Sequence, residues 1–246
     1  MILLKNKNEI ESLRSSGRIV RKILKILYDE ATEGVTTLYL NDLAEKLIYA
    51  EKAEPSFKGY NSFNYSICTS INTEAIHGIP STQILANGDL LSVDIGVFKD
   101  GFHGDAAWTK IIGKDSEDKK ILLTSTKECL YTAIDNCFPG QRVGTIGNII
   151  SNVAKKNKLS VVRNYGGHGV GRRLHEYPFI PNYGVKNTGV ILKAGAVIAI
   201  EPILAAGSGK TYIKHDGWTV CTEDNTLSSH FEHTVLITDS GCEILT

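Results

Sequence analysis

The sequence predicts an α+β fold with a mostly antiparallel sheet. Helical apolar periodicity occurs in two separate pairs of segments, and the stretches between and after them are apolar, strand-like and punctuated by turn signals. The first helix is expected over Lys7–Glu30, where Ile10, Leu13, Val20, Leu24 and Leu27 recur at helical spacing. Gly17 fills the same stripe and Gly34 follows as a stop. Arg14, Arg18, Arg21, Lys22 and Lys25 fall on a neighbouring face. That face is open to two readings, a solvated helix flank or a transient contact with an acidic surface such as ribosomal RNA.

A second helix is expected over residues 37–52, carried by Leu40, Leu43, Ala44, Leu47 and Ile48. The pair then recurs, with a third helix over 118–136 and a fourth over 143–157. The linkers 30–36 and 137–142 each hold a glycine, and Leu40, Leu43 and Leu47 correspond to Ile146, Ile149 and Val153, so two related halves are expected. Strands are expected over 66–71, 89–98, 102–112, 161–164, 196–204, 212–221 and 233–238. No linker or low-complexity segment interrupts the chain, so one domain over 1–246 is expected.

Charge narrows the function classes. The 27 basic and 27 acidic side chains balance, which removes the global field that would favour DNA or an anionic membrane. Charges in every turn near the N-terminus rule out the apolar core of a signal peptide, and no apolar run reaches spanning length, so a cytoplasmic chain is expected. Cys68, Cys129, Cys137, Cys221 and Cys242 are odd in number and lack a C-x-x-C pair, the pattern of reduced thiols.

Some acidic residues stand where burial is expensive. Asp94 sits inside Leu90-Leu91-Ser92-Val93-Asp94-Ile95-Gly96-Val97, a buried-strand pattern, and needs a partner there. Asp100-Gly101 signals a hairpin; with Phe98 to Gly101 as its turn, Asp94 is set opposite Asp105. Facing carboxylates repel, and a shared proton or a bound cation relieves them. Glu201 repeats the anomaly within Ala196 to Leu204, with Pro202 breaking the ladder beside it. Glu232 opens the strand His233-Thr234-Val235-Leu236-Ile237, and His168 lies among the glycines of Gly166-Gly167-His168-Gly169-Val170-Gly171. Four carboxylates and one imidazole form a hard donor set suited to Mn, Fe(II), Co or Zn.

The stretches Asn72 to Pro80, Val93-Asp94-Ile95, Lys99 to Asp105 and Gly166 to Gly171 resemble the type I methionine aminopeptidases, as do His175-Glu176 with Pro178, Ile200-Glu201-Pro202, Asp216 to Thr219 and Glu232-His233-Thr234. The resemblance covers nearly the whole chain. It implies a pita-bread fold, a curved, mostly antiparallel sheet flanked by two pseudo-symmetric helix pairs. It also implies two divalent ions: Asp94 binds one, His168 and Glu201 bind the other, and Asp105 and Glu232 bridge them. Hydroxide shared by the ions is the implied nucleophile, with Glu201 moving the proton.

By the same resemblance His77 contacts the substrate amine and scissile bond, His175 donates to the carbonyl, and Tyr60, Phe63, Cys68, His77 and Trp218 line the methionine pocket. The implied activity is removal of N-terminal methionine from nascent polypeptides whose second residue is small, by a monomer. Phe63 stands where the family commonly has Tyr, Asn64-Tyr65 where it has a Pro-basic pair, and Leu174 where an aromatic is frequent, so departures concentrate in the pocket.

Overall fold

A computed structural model describes residues 1–246. The first helix, α1, spans Lys7–Glu30. It opens with a capping box: the Asn6 side chain accepts from the Asn8 and Glu9 N–H groups, and Glu9 accepts from the Asn6 N–H. Helix α2 spans Thr37–Ala50 behind a Thr36 cap, α3 spans Glu117–Asp135 and α4 spans Val143–Lys156. The expected ends of α2 to α4 are met to within two residues.

Each helix pair covers its own apolar core. Val20, Leu27, Leu40 and Ile48 of α1 and α2 pack on Ile67, Leu91 and Ile95, while Leu130, Ile146 and Ile150 of α3 and α4 pack on Ile198, Ile200 and Val235. Gly17 lies in the α1 stripe because a Cβ there would collide with the Leu245 carbonyl. The basic flank of α1 is internally paired: Arg14 with Glu243, Arg18 with Glu11, Lys22 with Glu51 and Lys25 with Asp29, and Arg21 donates to carbonyls at Ile244 and Thr246.

Every strand pair is antiparallel. In the first half, Leu90–Lys99 pairs along one edge with Phe102–Ile111 and along the other with Ile67–Ile71 and Glu54–Pro55. In the second half, His233–Ile237 lies between Cys242–Ile244 and Val197–Ile200, followed by Gly166–Gly169 and Glu176–Pro181. The halves are stitched where the Thr234 hydroxyl donates to the Asp105 carbonyl at 2.8 Å and the Glu232 N–H to the Ala107 carbonyl at 2.8 Å.

The hairpin register corrects one expectation. Asp100 and Gly101 alone form the turn, both with positive φ (51° and 83°), and Lys99 pairs with Phe102. Asp94 therefore pairs with Ala107, and Asp105 with Gly96, rather than with each other. The shift is two residues, so both carboxylates stay on one face as diagonal neighbours.

Other strands also differ from expectation. The segment 196–204 breaks at Glu201-Pro202 into Val197–Ile200 and Ile203–Ala205. The segment 212–221 is a hairpin of Thr211–Ile213 with Val220–Thr222, and 161–164 shrinks to Ser160–Val161. Gly166–Gly169, which is not among the expected strands, is a strand. Its glycines let strands crowd it on both sides: a Cβ on Gly167 would meet the Ala199 carbonyl, and one on Gly169 would lie 2.6 Å from the Tyr177 carbonyl oxygen. No helix is long and apolar enough to cross a membrane.

Candidate metal centre

Asp94 and Asp105 project from adjacent strands of the first hairpin, and His168 from the glycine strand. Glu201 sits at the break after Val197–Ile200, and Glu232 directly before His233–Ile237. All five line one cavity of about 210 Å³, together with Tyr60, Phe63, Cys68, His77, His175 and Trp218. Phe57, Asn61 and Leu174 complete its wall. The residues singled out in the sequence thus converge from positions spread over more than 170 residues.

The donor atoms approach one another without bonding. Ligand atoms of Asp105, His168 and Glu232 all lie within 4.8 Å of one another. His168 Nε2 is 3.8 Å from Asp105 Oδ2 and 3.8 Å from Glu201 Oε1, beyond hydrogen-bond length. Asp94 Oδ1, Asp105 Oδ1 and Glu232 Oε1 are sealed from solvent with no hydrogen-bond partner. Such carboxylates are costly to bury as anions. Burial raises the pKa of all four; repulsion from the neighbouring carboxylates raises Asp105, Glu201 and Glu232 further.

The imidazole is set for the opposite role. Burial, then His175, pushes His168 down to about 3, so the ring is neutral. Its Nδ1 lies 3.0 Å from the Gly169 carbonyl oxygen. A carbonyl only accepts, so Nδ1 carries the proton and Nε2 presents its lone pair to the carboxylates. A neutral imidazole, raised carboxylates and orphaned oxygens together fit a divalent cation, which would neutralise the repulsion and give the orphans a partner.

The remaining wall combines a polar rim with an apolar floor. The His175 ring lies 4.2 Å from that of His168, and its Nδ1 is 2.9 Å from the Tyr60 hydroxyl. His77 holds a left-handed backbone (φ 57°), uncommon for a residue with a side chain, and its ring meets Trp218 edge-on. Burial pushes His77 down to about 4 and lowers His175 as well. Phe63, Cys68 and Leu174 are buried together with Phe57, and Tyr65 and Trp218 pack against them. The unusual residues Phe63, Tyr65 and Leu174 thus belong to one patch of the wall.

Sequence reading passed over His230. It is buried, and its Nε2 lies 3.7 Å from Glu201 Oε2 and 3.8 Å from Glu232 Oε2. Burial, then His77, pushes it down to about 3. The available signal was its place two residues before Glu232, the spacing that puts side chains on one face of an extended segment.

A family model, that of metallopeptidase family M24, matches residues 11–239. The chain belongs to metallopeptidase family M24. Among similar M24 proteins, methionine aminopeptidase 1 of Bacillus subtilis (strain 168) is 46% identical over 246 residues, covering 100% of this chain and 99% of that protein. The crystal structure of methionine aminopeptidase from Thermotoga maritima superposes with a TM-score of 0.99 at 40% identity, covering 100% of this chain and 99% of that one. Prolidase from Pyrococcus furiosus superposes with a TM-score of 0.80 at 26% identity, covering 99% of this chain and 65% of the prolidase. The M24 fold is the expected pita-bread arrangement of curved antiparallel sheets and flanking helix pairs.

Proposed function

We propose that this chain is a type I methionine aminopeptidase, which removes N-terminal methionine from nascent proteins and peptides when the second residue is small. The observation that carries the reading is the convergence of four carboxylates and one neutral imidazole at a cavity with an apolar wall. End-to-end similarity to proteins of that name supports it. With its charges balanced, the chain acts in the cytoplasm on nascent chains with N-terminal methionine, without DNA or membrane as partner.

Asp94 would hold one ion, His168 and Glu201 a second, and Asp105 and Glu232 both. Ions so held supply Lewis acidity toward the scissile carbonyl and lower the pKa of bound water. The chain's own side chains supply the rest. Glu201 is the carboxylate that moves the proton during hydrolysis. His175 has Nδ1 engaged by Tyr60, which leaves Nε2 to donate to the substrate carbonyl. His77, fixed by its backbone and by Trp218, contacts the substrate amine and scissile bond. Tyr60, Phe63, Cys68 and Trp218 enclose the methionine side chain, and burial keeps the Cys68 thiol protonated, a polarisable wall suited to a thioether.

The test is hydrolysis of Met-Ala-Ser by metal-stripped protein after adding Mn, Fe(II), Co or Zn separately, with Gly-Pro and Leu-Ala-Ser as controls. Release of methionine alone is expected. Cleavage of Gly-Pro would point to a prolidase instead, and silence of folded protein with every metal would overturn the catalytic reading.

A further inference from the structure

His230 stands behind the carboxylates rather than among the groups that line the cavity. It is 2% exposed, and its Nε2 is sealed from solvent without a hydrogen-bond partner. That atom lies 3.7 Å from Glu201 Oε2 and 3.8 Å from Glu232 Oε2. Glu201 is thereby flanked by two imidazoles, with Oε1 toward His168 and Oε2 toward His230. The residue's backbone is fixed: its N–H donates to Thr109 Oγ1 at 3.0 Å, and the Thr109 hydroxyl donates to its carbonyl at 2.6 Å.

An orphaned ring nitrogen in a core is destabilising. Phe231 and Ile203 beside it show that the surroundings suit an apolar side chain. The cost is offset only if the nitrogen serves the carboxylates it faces. A carboxylate that gives one oxygen to an ion needs a donor on its other lone pairs, or it swings between orientations. Both separations lie just beyond hydrogen-bond length, so a small rotation of either carboxylate completes the bond.

We infer that His230 is a positioning residue, donating its Nε2–H to Glu201 and Glu232 from behind and fixing the orientation in which they hold the ions. The inference rests on the two-ion reading above. It assigns His230 no contact with substrate and no ligand bond.

The experiment is calorimetric titration of Co(II) into metal-free wild type, H230Q and H230L, with the visible absorption spectrum of bound Co(II) as second readout. Glutamine keeps a neutral N–H donor; leucine keeps only bulk. H230L is expected to bind Co(II) about ten- to a hundredfold more weakly with an altered spectrum, and H230Q to bind close to wild type. The metal-free melting temperature of H230L is expected to match or exceed that of wild type, because an orphaned polar atom is gone. Wild-type affinity in H230L, or H230Q as weak as H230L, would overturn the inference. Wild type that binds no Co(II) would overturn the two-ion reading instead. H230M replaces H230L should the latter not fold.

Discussion

Asp94 and Asp105 face one cavity from adjacent strands of a single hairpin, offset by two residues, Asp94 pairing with Ala107 and Asp105 with Gly96. The donor set is therefore a product of strand register. A slip of one residue would turn one carboxylate into the apolar layer under α1. Glu232 is tied to the same register through its N–H to the Ala107 carbonyl.

Neutralising Asp105, proposed to bridge the two ions, separates function from stability. Asp105→Asn removes charge from a buried site where burial and the neighbours Asp94 and Glu201 already oppose ionisation. Activity is expected to fall by about a thousandfold or more, while the metal-free protein melts higher than wild type. Peptide hydrolysis and calorimetry read the two effects; a lower melting temperature with activity retained would contradict the site.

The metal-free protein is expected to lose stability as pH rises above 6.5. Burial raises Asp94 to about 7 and Glu201 to about 8, so near neutrality the folded state holds more protons than the unfolded chain, and stability falls with rising pH. The buried histidines act oppositely: His77 at about 4 and His168 at about 3 make stability rise with pH, but only up to the ordinary value of 6.5. Between pH 6.5 and about 8 only the carboxylates remain. Urea denaturation in chelator across that range checks the slope, which divalent ions are expected to abolish.

The loop carrying His175 is pinned by a buried ion pair. Lys5 Nζ lies 2.6 Å from Glu176 Oε2, with both side chains nearly sealed (4% and 6% exposed), and Glu176 also accepts from the Arg173 N–H. Lys5→Met leaves that carboxylate buried and unpaired, at a cost of about 3 kcal/mol or more, and kcat should fall as His175 loosens. Thermal melting and steady-state kinetics check both; Lys5→Met with Glu176→Gln should recover part of the stability.

Tyr60→Phe removes the hydroxyl that engages His175 Nδ1 at 2.9 Å. Losing one orienting hydrogen bond of about 1–1.5 kcal/mol predicts a drop of roughly tenfold in kcat, with KM for Met-Ala-Ser little changed. A rise in KM alone would place Tyr60 only in the pocket wall.

The legible parts of this chain were those where local pattern conflicts with chemistry. Asp94 and Glu201 stand out because a carboxylate in an aliphatic run demands compensation, and the helices because apolar sets such as Leu13, Val20, Leu24 and Leu27 recur at helical spacing. Register was not legible, because Asp100-Gly101 serves equally as a two-residue turn or as part of a longer one, and only cross-strand packing decides. The strand Gly166–Gly169 was not legible because its strand character comes from neighbours that crowd it. His230 escaped notice because a lone histidine carries no anomaly until Glu201, nearly thirty residues earlier, is brought to its ring.

The most direct measurement is X-ray diffraction from crystals grown with Mn(II), with anomalous difference maps recorded near the manganese edge. Two peaks are expected among Asp94, Asp105, His168, Glu201 and Glu232, with Asp105 and Glu232 adjoining both. No peak there, or a single peak that leaves Asp94 without an ion, would contradict the two-ion assignment.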